Sequence, residues 1–342
     1  MNKIRILIVL SAAALFFNCI SFAGLQKETP YSPPSAKKYA ELKGIFSGLT
    51  AGEIEKSINI ANRPEMTDIV NNILIYLKYK KLVKQTKKLP PIFFLYSKQN
   101  NVLNYAGGLY FDVENIIVLN ANLLLTNNIA PNNLPKNMQQ AVDFVTFASI
   151  ISHELMHYED LINESEVYNM DSAALNELKA YKRSEKVIEY FTKMTKAEAD
   201  EIIPIPDFYN SVQLLEKQFI DIRKYYIKLI NAAEIFLNNE DKIRETLGLD
   251  KDKFKMLSFS PKVLFNSKDG GHIVKIESSF LNFAQNLFFE INILSGTLKI
   301  LNSPDEIKKF RENAKNITLV NKHSYTVTRT GTAKKNNGVI SK

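Results

Sequence analysis

The chain has 342 residues, of which 45% are hydrophobic and 23% charged, with a formal net charge of +8. That length is enough for a sizeable core and two or three sub-domains, and no repeat or low-complexity segment interrupts it. The basic residues are scattered instead of clustered, which argues against a nucleic-acid surface, and one cysteine excludes an intramolecular disulfide.

Lys3 and Arg5 precede an apolar run from Ile6 to Phe17 broken only by Ser11, and Ser21-Phe22-Ala23 places small residues ahead of Gly24. Residues 1–23 therefore read as a signal peptide, too short to span a bilayer, which takes about 20 residues. Cleavage after Ala23 gives a secreted or periplasmic protein without cysteine. Cleavage before Cys19 would make that residue a lipid-bearing N-terminus, although Phe16-Phe17-Asn18 fits poorly with the small residues such a site uses. Either route exports the protein. Loss of Lys3 and Arg5 lowers +8 to +6, compatible with weak contact to an anionic envelope surface.

Residues 24–88 form an N-terminal helical region after a Pro-containing linker up to Ala36. Thr50-Ala51-Gly52-Glu53 has the form of a capping box, in which the first and fourth residues satisfy each other's backbone donors. Ile69, Val70, Ile73, Leu74 and Leu77 fall at helical spacing between Thr67 and Lys84, with lysines at the end that suits them.

Pro90-Pro91 changes the period. Ile92 to Tyr96, Asn104 to Phe111 and Asn115 to Asn120 read as strands of a small mixed sheet, and Gly107-Gly108 marks a bulge or a close backbone approach. A loop from Asn127 to Pro135 leads into a helix whose apolar stripe is Val142, Val145, Ala148, Ile151 and Leu155. On it stands His153-Glu154-Leu155-Met156-His157, the H-E-x-x-H pattern, which holds two of the four histidines in the chain. Residues four apart lie on one helix face, so His153 and His157 can grip one ion with Glu154 beside it as general base.

A catalytic zinc site takes three protein ligands and leaves a position open. Asp160 and Asn163 stand where a metzincin would carry its glycine and third histidine, so that arrangement is excluded. Asp160, Glu164 and Glu166 would be carried along the axis of a continuing helix, away from the ion. The next helix, capped by Asp171-Ser172, offers Glu177, with Glu185 and Asp171 as fallbacks. Glu177 follows His157 by 20 residues. In this H-E-x-x-H-x19-E spacing, and in Asn176 before Glu177, the chain resembles the gluzincin metallopeptidases, which include the thermolysin-like enzymes. The resemblance runs over about Ile92 to Phe191 and departs at Tyr181, where the thermolysin-like pattern has an Asp contacting a ligating histidine.

The resemblance implies one Zn2+ per chain, held by His153, His157 and Glu177, with Glu154 as catalytic base and then acid in hydrolysing a peptide or protein substrate. It also implies that a strand such as 104–111 aligns an extended substrate at a sheet edge. A His or Tyr from downstream would stabilise the oxyanion, and His272, Tyr209, Tyr225 and Tyr226 are candidates.

Asp207 to Asn239 reads as one long helix with Leu214, Leu215, Phe219, Ile222, Tyr226 and Leu229 on its apolar side. From Met256 the pattern turns to β: a strand from His272, then two strands flanking a Ser295-Gly296 hairpin turn. A short helix follows from Pro304 to Asn313. Beyond Glu312 come six basic residues and no acid, a basic tail. The expected class is α+β: a zincin-like metallopeptidase domain over 89–250 with a small mixed sheet and the H-E-x-x-H helix, a helical N-terminal layer, and an antiparallel β region with tail over 251–342. The competing expectation is a non-catalytic, envelope-associated binding or structural protein that keeps a zincin fold, which would tolerate loss of Glu154.

Overall fold

The computed structural model describes residues 31–46, 48–83, 89–98, 107–124, 134–163, 173–248, 259–266, 272–278 and 287–309. The signal segment with Cys19, the acids Glu164, Glu166 and Asp171, and the basic tail lie outside them. Among the described residues no helix is long and apolar enough to cross a membrane.

Three helices come first. Helix α1 (Ala36–Ile45) is capped by the Ser35 hydroxyl. Helix α2 (Ala51–Ala61) opens with the capping box expected at Thr50 and Glu53. Helix α3 (Pro64–Tyr79) starts three residues earlier than periodicity suggests, because Pro64 fits the first turn, where no intrahelical donor is needed. Its buried residues Met66, Ile69, Val70, Ile73 and Leu77 repeat at three and four.

The first sheet is three-stranded: β1 (Ile92–Leu95), β2 (Gly108–Phe111) and β3 (Ile116–Asn120) in the order β1-β3-β2. Strands β1 and β3 run parallel, with Ile92 opposite Ile117, and β2 runs antiparallel to β3, with Tyr110 opposite Ile117. The sheet is mixed, as expected, and β2 is its outermost strand on one side.

At the other side, β1 meets the helical layer. The backbone N–H groups of Phe94, Tyr96 and Lys98 donate to the Tyr39 hydroxyl (3.1 Å), the Ser57 hydroxyl (2.9 Å) and the Glu53 carboxylate (2.7 Å). Phe94 belongs to β1 and Tyr96 and Lys98 follow its end, so these three side chains satisfy backbone donors of the strand and of the segment that leaves it. The Ser97 hydroxyl and both Thr50 donors complete the shell of Glu53 and hold its carboxyl down at about 2, with the Thr50 backbone N–H the largest cause.

Helix α4 (Lys136–Asn163) crosses the sheet, and Val142, Val145, Ala148, Ile151 and Leu155 are all buried, as the stripe requires. Phe94 meets Phe147 at 5.5 Å between ring centroids, and Tyr76 stacks on Phe191 of α5 (Ala173–Lys193) at 4.5 Å. One hydrophobic core thus joins the helical layer, the mixed sheet and α4. Each of these aromatics contributes about 1.5–3 kcal/mol by burial.

Two short helices, α6 (Lys196–Ile202) and α7 (Phe208–Leu214), precede α8 (Glu216–Asn238), and α9 (Glu240–Thr246) follows it. The single helix expected from Asp207 to Asn239 is therefore divided. Leu215 leaves helical geometry at φ −104°, ψ 8° and serves as the last cap of α7 and the first of α8. Its buried side chain keeps the apolar periodicity unbroken across the gap.

The C-terminal sheet is an antiparallel meander of β4 (Ser260–Asn266), β5 (His272–Ser278), β6 (Leu287–Asn292) and β7 (Thr297–Leu301), in sequence order. The last hairpin has four loop residues, 293–296, instead of two. The Asn292 side chain accepts from the backbone N–H groups of Leu294 and Ser295, and Gly296 takes φ +65°. Val274, Ile276, Phe289 and Ile291 pack on Leu229, Ala233 and Phe236 of α8 and on Leu178 and Tyr181 of α5 in a second core.

Candidate metal centre

Helices α4 and α5 bring three metal-binding side chains together. His153 and His157 stand one turn apart on α4 with ring centroids 5.0 Å apart. Glu177, in the second turn of α5, faces both: its Oε2 lies 3.4 Å from His153 Nε2 and its Oε1 3.5 Å from His157 Nε2. One ligand atom from each residue falls within 4.8 Å of the others, and this is the His/Cys/Asp/Glu group among the described residues that can hold a metal ion.

The spacing leaves room for an ion among the three side chains. Distances of 3.4 and 3.5 Å are longer than an ordinary N–H···O hydrogen bond of about 2.9 Å. Each histidine nitrogen thus faces a different oxygen of Glu177 across a gap close to the separation of neighbouring ligands on a zinc ion, roughly 3.3 Å when ligands stand about 2.0–2.1 Å from the metal. Two imidazoles and a carboxylate are also the donor set such a site uses.

Burial sets the protonation. It pushes the His157 imidazole down to about 4, which keeps it in the neutral form that binds metal. At His153 burial acts in the same direction, but the facing Glu177 and the charge of Glu154 outweigh it and raise the imidazole. Burial would raise Glu177 too, yet the two histidines and the Tyr181 hydroxyl hold its carboxyl below the usual range.

Glu154 points the other way from the triad partners, towards β2. It is 5% exposed, and burial pushes its carboxyl up to about 7, against the charge of His153 and a hydrogen bond from the Tyr110 backbone N–H. Gly108 makes that approach possible. A methyl group there would lie 3.1 Å from Glu154 Cγ and 2.8 Å from Ile150 Cγ2, and one at Gly107 would lie 2.7 Å from Ile150 Cδ1. The glycine pair is a close approach of strand to helix, one of the two readings its sequence allowed.

The surrounding charges are spoken for. Glu159 is fully buried and bonded to Arg183 at 2.7 Å, and Lys179 reaches Asp160 at 3.3 Å. Glu185, a fallback ligand in the sequence, pairs instead with Arg223 of α8. Among the downstream tyrosines, Tyr209 packs against the first core. Tyr226 places its hydroxyl 3.3 Å from that of Ser149, and Tyr225 stacks edge-on beside it. His272 opens β5, but its side chain lies outside the described residues.

Two participants were not singled out from sequence, the Tyr110 backbone N–H and the steric role of Gly108 towards Glu154, and Tyr181 was marked only as a departure from the thermolysin-like pattern.

The chain matches no protein-family model, no curated protein and no solved structure. The functional reading therefore stands on these residues alone.

Proposed function

We propose that this chain is an exported zinc-dependent metallopeptidase of the gluzincin kind, with a zincin-like core. The observation that carries the proposal is the Glu177 carboxylate set opposite His153 Nε2 and His157 Nε2, with Glu154 adjoining. His153, His157 and Glu177 would hold one Zn2+, which when bound supplies Lewis-acid chemistry, lowering the pKa of a water towards 7 and polarising a carbonyl.

Glu154 does the proton work. A buried carboxyl beside the site would accept a proton from the attacking water and release it to the departing amine, and burial, which favours its neutral form, eases the first of these transfers. The Tyr110 N–H holds the carboxylate in place while it does so. Strand β2, outermost in the mixed sheet and adjoining Glu154, is positioned to align an extended peptide. Export through the N-terminal segment, with lipid attachment at Cys19 as its variant, and contact with the cell envelope belong to the same proposal.

The test is metal content by mass spectrometry, with peptide hydrolysis, on purified protein. Stoichiometric zinc, lost in His153→Ala and Glu177→Ala, is expected, together with a Glu154→Gln variant that keeps zinc and loses at least about 100-fold in rate. Zinc without turnover would instead favour a binding protein that keeps the fold. Absence of zinc in the wild type would refute the metal centre.

A further inference from the structure

Three serines are buried where α4 and α5 meet, Ser149, Ser152 and Ser184, none of them more than 2% exposed. Their hydrogen bonds converge on the carbonyl oxygen of Ser149. The Ser152 hydroxyl donates to it at 2.8 Å from within α4, and the Ser184 hydroxyl donates to it at 3.1 Å from α5. The same oxygen is the acceptor for the His153 backbone N–H in the helical pattern of i to i−4. The Ser149 hydroxyl gives its hydrogen to the Thr146 carbonyl at 2.8 Å, so in the 3.3 Å contact with Tyr226 of α8 the tyrosine is the donor.

His153 follows Ser149 by four residues, about one turn of α4, and Ser184 follows Glu177 by seven, about two turns of α5. Each pair therefore shares a helix face. The Ser184–Ser149 bond and the Glu177–His153 contact are successive cross-links between the same two faces. They differ in kind. Glu177 and His153 meet through two side chains that can turn, whereas the Ser184 bond ends on a backbone carbonyl, whose place is that of the helix itself. Its donor stands one carbon from the other backbone, so a slide of α5 along α4 breaks the bond at once.

We propose that Ser184 is a positioning residue for the metal centre: by tying α5 to the α4 carbonyl one turn before His153, it fixes the register of the two helices and so holds Glu177 opposite the histidines. The proposal rests on the metal-centre reading above. An ion held by ligands from both helices requires one placement of α5 on α4. A placement set before the ion arrives does not have to be imposed at the expense of its binding.

The experiment compares the full chain with Ser184→Ala and Ser57→Ala, measuring Zn2+ affinity by competition with a chromophoric chelator, visible spectra of the Co2+-loaded forms, and urea midpoints. Ser184→Ala removes one oxygen and adds no bulk, so it is expected to fold, to bind zinc about 3- to 10-fold more weakly, the worth of one net hydrogen bond, and to change the Co2+ bands. Ser57 is the control for a plain structural hydroxyl: it is fully buried, donates to the Glu53 carbonyl at 2.7 Å and accepts from the Tyr96 N–H at 2.9 Å, away from the triad. Ser57→Ala should lower the urea midpoint and leave zinc affinity and the Co2+ spectrum as in the wild type. Zinc affinity within twofold of wild type in Ser184→Ala, or equal weakening in the two variants, would overturn the role of Ser184 while leaving the metal centre standing. A wild type that binds no Zn2+ would overturn both.

Discussion

Glu154 and Gly108 touch because Gly108 has no side chain: a methyl group there would sit 3.1 Å from Glu154 Cγ and 3.2 Å from its Oε1. The candidate base and the strand beside it are thus fitted to one another at a single backbone position. Gly108→Ala should displace either the strand or the carboxylate. We expect a loss of at least about 100-fold in kcat/KM and about 1–3 kcal/mol in stability, with zinc retained because all three ligands are untouched. Zinc content, kinetics and urea unfolding of the variant check this, and near-normal turnover would show that the strand has slack.

Glu53 should shape the acid limb of stability. Its carboxyl is held down from 4.5 to about 2, first by the Thr50 N–H, with the Lys98 N–H and the Thr50 and Ser97 hydroxyls adding to it. A depressed carboxyl contributes stability that is fully present above 4.5 and is lost as pH falls through about 2. Glu53→Gln should therefore be less stable than wild type at neutral pH, with the two curves converging between pH 4.5 and 2. Denaturant midpoints measured across that window would show parallel curves if the carboxylate were immaterial.

The buried pair Glu159–Arg183 invites a double-mutant cycle. Arg183→Met leaves a fully buried carboxylate without this cation, and a cost of about 3–5 kcal/mol is expected. Glu159→Gln combined with Arg183→Met should cost less than Arg183→Met alone, because no charge is then stranded. Additive losses in chemical denaturation would contradict the pairing.

Tyr39→Phe removes one oxygen from the core and strands the Phe94 backbone N–H, which donates to it at 3.1 Å. An unsatisfied buried donor costs about 1–3 kcal/mol. The loss should appear in global unfolding, and the Phe94 amide should exchange faster than its neighbours in β1. Unchanged exchange there would mean that water replaces the hydroxyl.

Much of the site was legible because its information is local. His153 and His157 are one turn apart, Glu177 lies at a spacing that a helix–loop–helix can close, and the stripe from Val142 to Leu155 marks which face is buried. The break at Leu215 was not legible, since a buried leucine continues the apolar period through it and neither glycine nor proline announces a stop. The Ser295-Gly296 signal gave the hairpin but not its length, which depends on the Asn292 side chain bonding two backbone groups. Glu53 was readable as a cap, yet its second oxygen serves Ser97 and Lys98, 44 and 45 residues away, and no local pattern encodes that.

The three side chains that meet the donors of Phe94, Tyr96 and Lys98 also bear on how this chain can be shortened. A fragment begun at Pro90 would keep every residue of the triad and Glu154. It would also lack Tyr39, Ser57 and Glu53, and would leave the Phe94, Tyr96 and Lys98 donors open along and just beyond the apolar strand Ile92-Phe93-Phe94-Leu95. Such a border recruits other strands and aggregates. Trimming the chain to its chemistry would thus yield a sticky protein, and gene-shuffling that separates the first three helices from the site should be selected against for solubility before activity is ever at stake.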